Sequence, residues 1–445
     1  MFENRLFIET YGCQMNFSDS EIVASILSSE GYSLVNDPHQ ASLILINTCS
    51  IREKAEERVW KRLRELKSLK KKNPELKIGI IGCMAERLYE ELLFAGHGVD
   101  LVAGPDAYRF LPELLSNTLQ GAQAANIQLS FEETYEDIEP LRLDPSGVSA
   151  FISIMRGCEN FCAYCVVPLT RGKERSRHPE TILNEARNLF QRGYPEITLL
   201  GQNVNSYYFK NAHLSMNFSD LLAKVAEIHP SLRVRFTTSH PKDLSDKLIS
   251  TIACYPNICK SVHLAVQSGS DAILKRMNRK YTRNEFLDRV RSIRKMIPES
   301  TISTDIIAGF CGETEEDHRQ TLSLMEEVGF DSAFMFRYSE RPGTLAARKY
   351  PDDVPSEVKA RRLQEIIDLQ HWHSLRSNRQ DIGKTFEVLV EGSSKRSRAM
   401  LSGRNSQNKM VVFEPKKATR GQYVRVRITG CTQATLIGEE MEDDL

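Results

Sequence analysis

The sequence predicts a three-part α/β protein. An N-terminal open parallel α/β sheet domain leads into a central partial (β/α)6 barrel, and a C-terminal small antiparallel β-barrel closes the chain. Three observations predict this. Apolar runs of four to six residues alternate with helical patterns from residue 5 to residue 103, the mark of strands buried on both faces of a parallel sheet. Six further strand–helix repeats follow an acidic break. The last stretch then turns to short strands with glycine-containing turns and no helical period. At 445 residues the chain exceeds the roughly 250–300 at which one core stops growing, so several domains are expected. The expected boundaries are 1–130, a linker at 131–147, 148–380, and 381–445 with its acidic tail.

In the first domain, strands are expected at 5–10 (RLFIET), 42–47 (SLILIN), 77–81 (KIGII) and 100–103, with helices at 19–29, about 51–72 and 86–94. The order suggests a flavodoxin-like sandwich. Residues 131–145 hold six acids, two prolines and one arginine, the composition of an exposed inter-domain linker. Barrel strands are expected at 151–155, 196–200, 232–237, 261–266, 301–307 and 332–336. Helices are expected at 179–192, 243–253, 284–296, 315–328 and 356–378. Eight repeats would need more residues than remain. The small barrel is expected to use strands at 385–391, 410–413 and 422–429.

Net charge is zero, with 59 basic and 59 acidic residues, and argues neither for nor against nucleic acid. Its distribution says more. Residues 384–427 hold 11 Lys/Arg against three Asp/Glu, and 439–445 hold five acids and no base. No apolar run approaches the roughly 20 residues needed to cross a bilayer, and the first ten residues lack a signal-peptide layout. A cytoplasmic protein with no membrane association is expected. In that compartment the ten cysteines read first as metal ligands or reactive thiols.

Six cysteines stand out. Cys158, Cys162 and Cys165 form a C-x3-C-x2-C triplet in the loop after the first barrel strand, on the face where βα loops build active sites. Three thiolates this close can bind three irons of one [4Fe–4S] cube and leave the fourth open. Zinc or plain buried thiols are the alternatives. Zinc usually takes four N/S ligands, and the nearest other candidate is His178. Cys13, Cys49 and Cys83 each follow an apolar strand (FIETYGC, ILINTC, IGIIGC). Ligands of open parallel sheets sit at the carboxyl ends of the strands, and strands about 4.8 Å apart would let one cube bridge the three thiols. Gly12 and Gly82 allow close backbone approach. Against this stands the fact that cysteine is a common small buried residue. Cys254, Cys259, Cys311 and Cys431 show no pattern and read as structural.

The triplet with Arg156, Gly157 and Tyr164 resembles the radical S-adenosylmethionine superfamily. The resemblance implies that S-adenosylmethionine chelates the open iron and is cleaved to a 5′-deoxyadenosyl radical, with Tyr164 near the adenine. Three strand-end cysteines, a radical S-adenosylmethionine core and a small β-barrel like the TRAM domain together resemble the methylthiotransferases over essentially the whole chain. Thr10-Tyr-Gly-Cys13-Gln14-Met15-Asn16 is similar to the MiaB-type tRNA enzymes. Leu169 stands where that family has Tyr, and Ala265 and Cys311 stand where Pro is usual. These departures remove no ligand.

The resemblance implies two [4Fe–4S] clusters, one binding S-adenosylmethionine and one auxiliary. It implies methylthiolation at C2 of the N6-isopentenyladenosine beside the anticodon of tRNA. Another tRNA adenosine or a ribosomal protein is the alternative substrate, and a metal-stabilised RNA-binding protein without activity is the alternative of another class. A flavodoxin or ferredoxin would donate electrons. A monomer is expected.

Around the cofactor, Gln202 and Asn203 follow the second barrel strand, Gln267 and Ser268 the fourth, and Gly309 the fifth. By resemblance these positions line the cofactor or substrate pocket; polar turns are the bland alternative. His240, after the third strand, reads equally as an assisting group or a hydrogen-bonded structural histidine. Residues 337–341 read as a functional rim or an ion-paired one. For RNA, Arg171, Lys173 and Arg175 border the cluster loop, and Lys395, Arg396 and Arg398 lie in the basic barrel, where cations would contact phosphates. Residues 61–72 read as a solvated helix face. Phe413 and Tyr423 read as core, with base stacking as the other option.

Overall fold

A computed structural model describes residues 4–50, 53–144, 147–237 and 239–441, with backbone alone at 53–55. The first domain is a six-stranded sheet, parallel at every described pairing. Its spatial order is Ser33–Leu34, Arg5–Thr10, Leu43–Thr48, Lys77–Gly82, Leu101–Ala103, Ala124–Asn126. Arg5–Thr10 lies inside the sheet, and the strand order reverses between it and Leu43–Thr48, which makes their carboxyl ends the natural crevice. Leu43–Thr48 is buried at all six positions because helices cover both faces.

Helix Gln14–Ser29 begins five residues earlier than its periodicity suggests. Its first turns carry Asn16, Asp19 and Ser20, which are polar yet fully buried, the first two against arginines of the central domain and Ser20 against Thr10 and Asn47 of the sheet, so the amphipathic signal is masked there. The next helix is described from Glu53 to Lys72; its expected start at 51 lies outside the described residues. Lys67 and Lys70 bind the Gly96 and Gly98 carbonyls, so that helix face is tied down in part.

The central domain holds the six expected strands in order. Ser149–Ser153, Glu196–Leu200 and Arg233–Phe236 pair in parallel, as do Ser261–His263, Thr301–Ala308 and Ser332–Arg337. Isolated bridges, Val234 to Ile258 and Ser239 to Leu264, join the halves into an open arc. Helix Ser356–Arg379 packs along the last strand.

The C-terminal barrel is closed and has five strands rather than three: Thr385–Ser394, Ser397–Asn405, Met410–Glu414, Tyr423–Cys431 and Leu436–Glu440. Four pairings are antiparallel, and Met410–Glu414 runs parallel to Leu436–Glu440. Ser397–Asn405 (SRAMLSGRN) lacks the alternation that would announce it. Phe413 is core, and Tyr423 lies under Arg233, whose guanidinium carbon is 4.6 Å from the ring centre.

The segment expected as an exposed linker is packed instead. Tyr135 is buried and donates to the Pro105 carbonyl at 3.0 Å. Arg142 joins Glu21 of the sheet domain to Glu185 of the central domain, at 2.6 Å each, with its side chain only 5% exposed. Six acids suggested solvent, and Glu133 and Asp137 do pair with the exposed Arg109, but the Glu136 carboxylate accepts from His178 N–H at 2.8 Å and Arg142 is buried. Residue 145 lies outside the described residues. Among the described residues no helix is long and apolar enough to cross a membrane.

Candidate active site between two cysteine triplets

Cys13, Cys49 and Cys83 sit just beyond three neighbouring strands, whose ends are in register at Thr10 with Asn47 and Thr48 with Gly82. Cys13 immediately precedes helix Gln14–Ser29, and Cys83 opens helix Cys83–Phe94. Helix N-termini favour thiolates. The Cys49 thiol bonds to Cys13 and holds it down at about 6 against the effect of burial, with the Arg171 charge acting in the same sense. Burial pushes Cys83 up, and Arg171 opposes it.

Gly12, at φ +120°, lets the first two strand ends close together: a Cβ there would lie 2.3 Å from Cys49 Cβ. Gly157 does the same for the second triplet, where a Cβ would meet the Lys173 carbonyl at 1.9 Å. Cys158, Cys162 and Cys165 follow in a loop pinned by Cys158 N–H to the Gly172 carbonyl and by Ala163 N–H to the Met277 carbonyl. All three are partly exposed. Burial pushes Cys158 and Cys165 up.

Among the described residues no three such side chains close around a single ion. An iron–sulfur cube spans three thiolates that stand farther apart. Both triplets fit such a group by donor chemistry: three thiols without a disulfide partner, in glycine-opened backbone, each triplet with a buried guanidinium on one sulfur. Those two arginines are the functional candidates that sequence reasoning misassigned or missed. Arg171 Nε donates to Cys83 Sγ at 3.2 Å and Arg279 Nη1 to Cys162 Sγ at 3.2 Å.

A cavity of about 660 Å³ lies between the sheet domain and the open side of the barrel. Ser50, next to Cys49, and Cys165 both line it, as do Tyr164 and Gln267. One wall is apolar, with Ile307, Met335, Phe336, Leu363 and Ile367; Asp305, Arg337 and Arg341 give polar points. Tyr164 packs edge-on against Phe310. Arg341 also donates to Glu56 at 3.1 Å, tying the rim to the sheet domain.

Other expected residues fall elsewhere. Gln202 Oε1 and Asn205 Nδ2 are buried without a protein partner, which suits a polar ligand. Asn203 is held by two protein partners: its side-chain amide donates to Asp243 at 2.7 Å and its side-chain carbonyl accepts from His240 N–H. His240 is held neutral by burial and the nearby Arg279 charge, down to about 2, and caps Lys242 N–H. Ser268 faces Thr321 and Ser270 in the domain interior. Gly309 donates to Glu313 and abuts Lys359, where a Cβ would meet Lys359 Cγ at 2.4 Å; its close approach is to that helix.

Two of the expected RNA contacts are corrected. Arg171 and Arg175 are buried and bound to Asp19 and Asp106, so neither reaches a phosphate. Charged residues spaced two apart after a loop look solvated in sequence, and only the docking of the sheet domain buries them. Lys173 is exposed beside Phe131, and Lys395, Arg396 and Arg398 are exposed at a hairpin of the small barrel.

Comparison with known proteins agrees with this architecture. Residues 5–104 match the family model described as Uncharacterized protein family UPF0004, 152–325 the Radical SAM superfamily, and 379–440 the TRAM domain. A tRNA-2-methylthio-N(6)-dimethylallyladenosine synthase of Parabacteroides distasonis is 55% identical, covering 99% of this chain and 96% of that one. The enzyme of that name from Amoebophilus asiaticus is 56% identical, covering 98% and 92%. Among solved structures, the radical S-adenosylmethionine methyltransferase TsrM of Kitasatospora setae, with cobalamin and a [4Fe-4S] cluster bound, superposes with a TM-score of 0.59. It is 14% identical and covers 78% of this chain and 77% of that one, which speaks for the fold alone. On sequence identity over nearly its full length, the chain belongs to the family of tRNA-2-methylthio-N(6)-dimethylallyladenosine synthases.

Proposed function

We propose that this protein converts N6-isopentenyladenosine beside the anticodon of tRNA to its 2-methylthio derivative, using one [4Fe–4S] cluster at Cys158, Cys162 and Cys165 and a second at Cys13, Cys49 and Cys83. When bound, the first cluster with S-adenosylmethionine would supply the radical that opens the C2–H bond, and the second the sulfur. The observation that carries the reading is the single cavity walled by Ser50, beside one triplet, and Cys165 of the other.

The chain's own groups account for the rest. The apolar wall at Ile307, Phe336, Leu363 and Ile367 accepts the isopentenyl group. Gln267 and Asp305 face the adenine edge. Gln202 and Asn205 offer their unpartnered polar atoms to S-adenosylmethionine, and Tyr164 packs beside it. Enclosure keeps water from the reacting carbon. Lys173, Lys395, Arg396 and Arg398 contact phosphates and position the tRNA without reading bases. A cytoplasmic monomer reduced by a flavodoxin- or ferredoxin-type carrier completes the reading.

The test is anaerobic reconstitution followed by incubation with reductant, S-adenosylmethionine and isopentenylated tRNA, with nucleosides analysed by mass spectrometry. The 2-methylthio nucleoside is expected; unchanged nucleoside beside intact S-adenosylmethionine overturns the proposal. Cys158→Ala loses cofactor cleavage. Cys13→Ala retains some cleavage and loses methylthio transfer.

A further inference from the structure

The polar network buried between the sheet domain and the central domain carries a charge that its members do not balance. Asp19 accepts from Arg156 Nη1 at 2.8 Å and from Arg171 Nη2 at 2.7 Å. Asp106 accepts from Arg175 Nη2 at 2.9 Å and lies 3.7 Å from Arg156 Nε. Tyr108 adds a hydroxyl to Asp19 at 3.3 Å. Three guanidiniums therefore face two carboxylates, and no side chain among them is more than 4% exposed. The nearby Glu86 carboxyl is pushed up to about 8 by burial and the Asp106 charge, so at neutral pH it does not cancel the surplus.

An unmatched buried charge is costly, so such a surplus calls for a counter-charge. Its direction is visible. Arg171 Nε donates to Cys83 Sγ, Arg171 Nη2 also reaches Asn16 Oδ1 at 3.3 Å, and that oxygen lies 3.4 Å from Cys13 Sγ. Arg171 Nη1 is buried with no protein partner. A doubly positive oxidised four-iron core held by three thiolates leaves one net negative charge, which matches the surplus in sign and size.

We propose that Arg171 is a cross-domain positioning residue for the cluster of the other domain: supplied by the central domain and locked by Asp19, it balances the charge of the cluster at Cys13, Cys49 and Cys83 and raises its reduction potential through the N–H on Cys83 sulfur. The inference rests on the reading of a second cluster at that triplet. Hydrogen bonds to cluster sulfurs and nearby positive charge favour the reduced, more negative state. The triplet is then complete only when the two domains are docked. Arg279 touches the other triplet in different company, the Ala265 carbonyl and the Tyr281 hydroxyl, so the two sites are tuned separately.

The experiment uses the full chain with Cys158, Cys162 and Cys165 changed to Ala, so that only the other triplet can bind iron. About four irons per chain are expected after reconstitution; an iron-free parent removes the second cluster and the inference with it. Arg171→Met is then added and the potential measured by EPR-monitored titration. The reduced-to-oxidised ratio at the parent's midpoint should fall at least tenfold, which for one electron is about 59 mV. Four irons with an unchanged potential overturn the proposal. Should Arg171→Met lose iron or fail to fold, Arg171→Lys decides. It keeps the charge and loses the fork, so its EPR line shape and potential must differ from the parent's, and identical values overturn the proposal.

Discussion

Arg279 Nη1 lies 3.2 Å from Cys162 Sγ, and the same guanidinium donates to the Ala265 carbonyl at 2.5 Å and to the Tyr281 hydroxyl at 3.0 Å. Tyr281 in turn donates to the Val266 carbonyl at 2.7 Å. The loop of Cys158, Cys162 and Cys165 is thus held from the fourth βα turn by a charged group fixed on three sides. Arg279→Met should cut S-adenosylmethionine cleavage by about tenfold to a hundredfold, the usual range for a group supporting a metal ligand. Arg279→Lys should recover part of it. The measurement is 5′-deoxyadenosine release under constant reductant.

The apolar cavity wall gives a substrate test. Leu363→Ala and Ile367→Ala remove surface proposed to hold the isopentenyl group. Each should lower kcat/KM on an isopentenylated anticodon stem-loop by roughly tenfold, within the range of about 1–3 kcal/mol for apolar pocket groups. Binding of an unprenylated stem-loop should not change. Equal losses on both RNAs would place the isopentenyl group elsewhere.

Burial decides which ion pairs matter for stability. Asp19→Ala leaves Arg156 and Arg171 buried without their carboxylate and should cost about 3–5 kcal/mol. Arg291 and Asp288 are 65% and 60% exposed, and Asp288→Ala should change stability by less than about 0.5 kcal/mol. Denaturant unfolding of the two variants side by side checks the contrast.

Glu313 sets a pH dependence. Burial pushes its carboxyl up from 4.5 to about 7, although Gly309 N–H and Arg362 Nη1 bind it at 2.9 and 3.0 Å. The folded state then holds a proton that the unfolded state releases, so the contribution is full below pH 4.5 and is lost as pH rises through 7. Relative to Glu313→Gln, the native protein should lose up to about 3 kcal/mol between those limits, at ~1.4 kcal/mol per pH unit. Parallel stability–pH curves for the two proteins would refute this.

Lys395, Arg396 and Arg398 project from the hairpin between the first two strands of the small barrel. If they bind tRNA phosphates, changing all three to Ala weakens binding to every tRNA alike. The slope of log affinity against log salt should then become shallower by about 0.7–0.9 for each phosphate no longer neutralised. An unchanged slope assigns RNA binding to another surface.

Both cysteine triplets are legible in the sequence. Cys158, Cys162 and Cys165 announce themselves by spacing, and Cys13, Cys49 and Cys83 by following apolar strands that a parallel sheet must place side by side. The order of elements was legible for the same reason: period and apolar runs are local properties. Arg171 and Arg175 were misread because their partners, Asp19 and Asp106, lie 152 and 69 residues away in the chain. Arg279 was missed altogether, since nothing near it in sequence marks it as facing Cys162, 117 residues earlier.

The sequence by itself determined the cysteine spacing, the layer architecture and the family resemblance, because residue type, spacing and periodicity act over a few residues. Tertiary structure decided which charges are buried. It turned an acidic segment into an inter-domain strap through Tyr135 and Arg142, and two apparent phosphate ligands into buried ion pairs. Burial is a sum over distant surfaces, and it exists only once the sheet domain and the barrel have closed on each other.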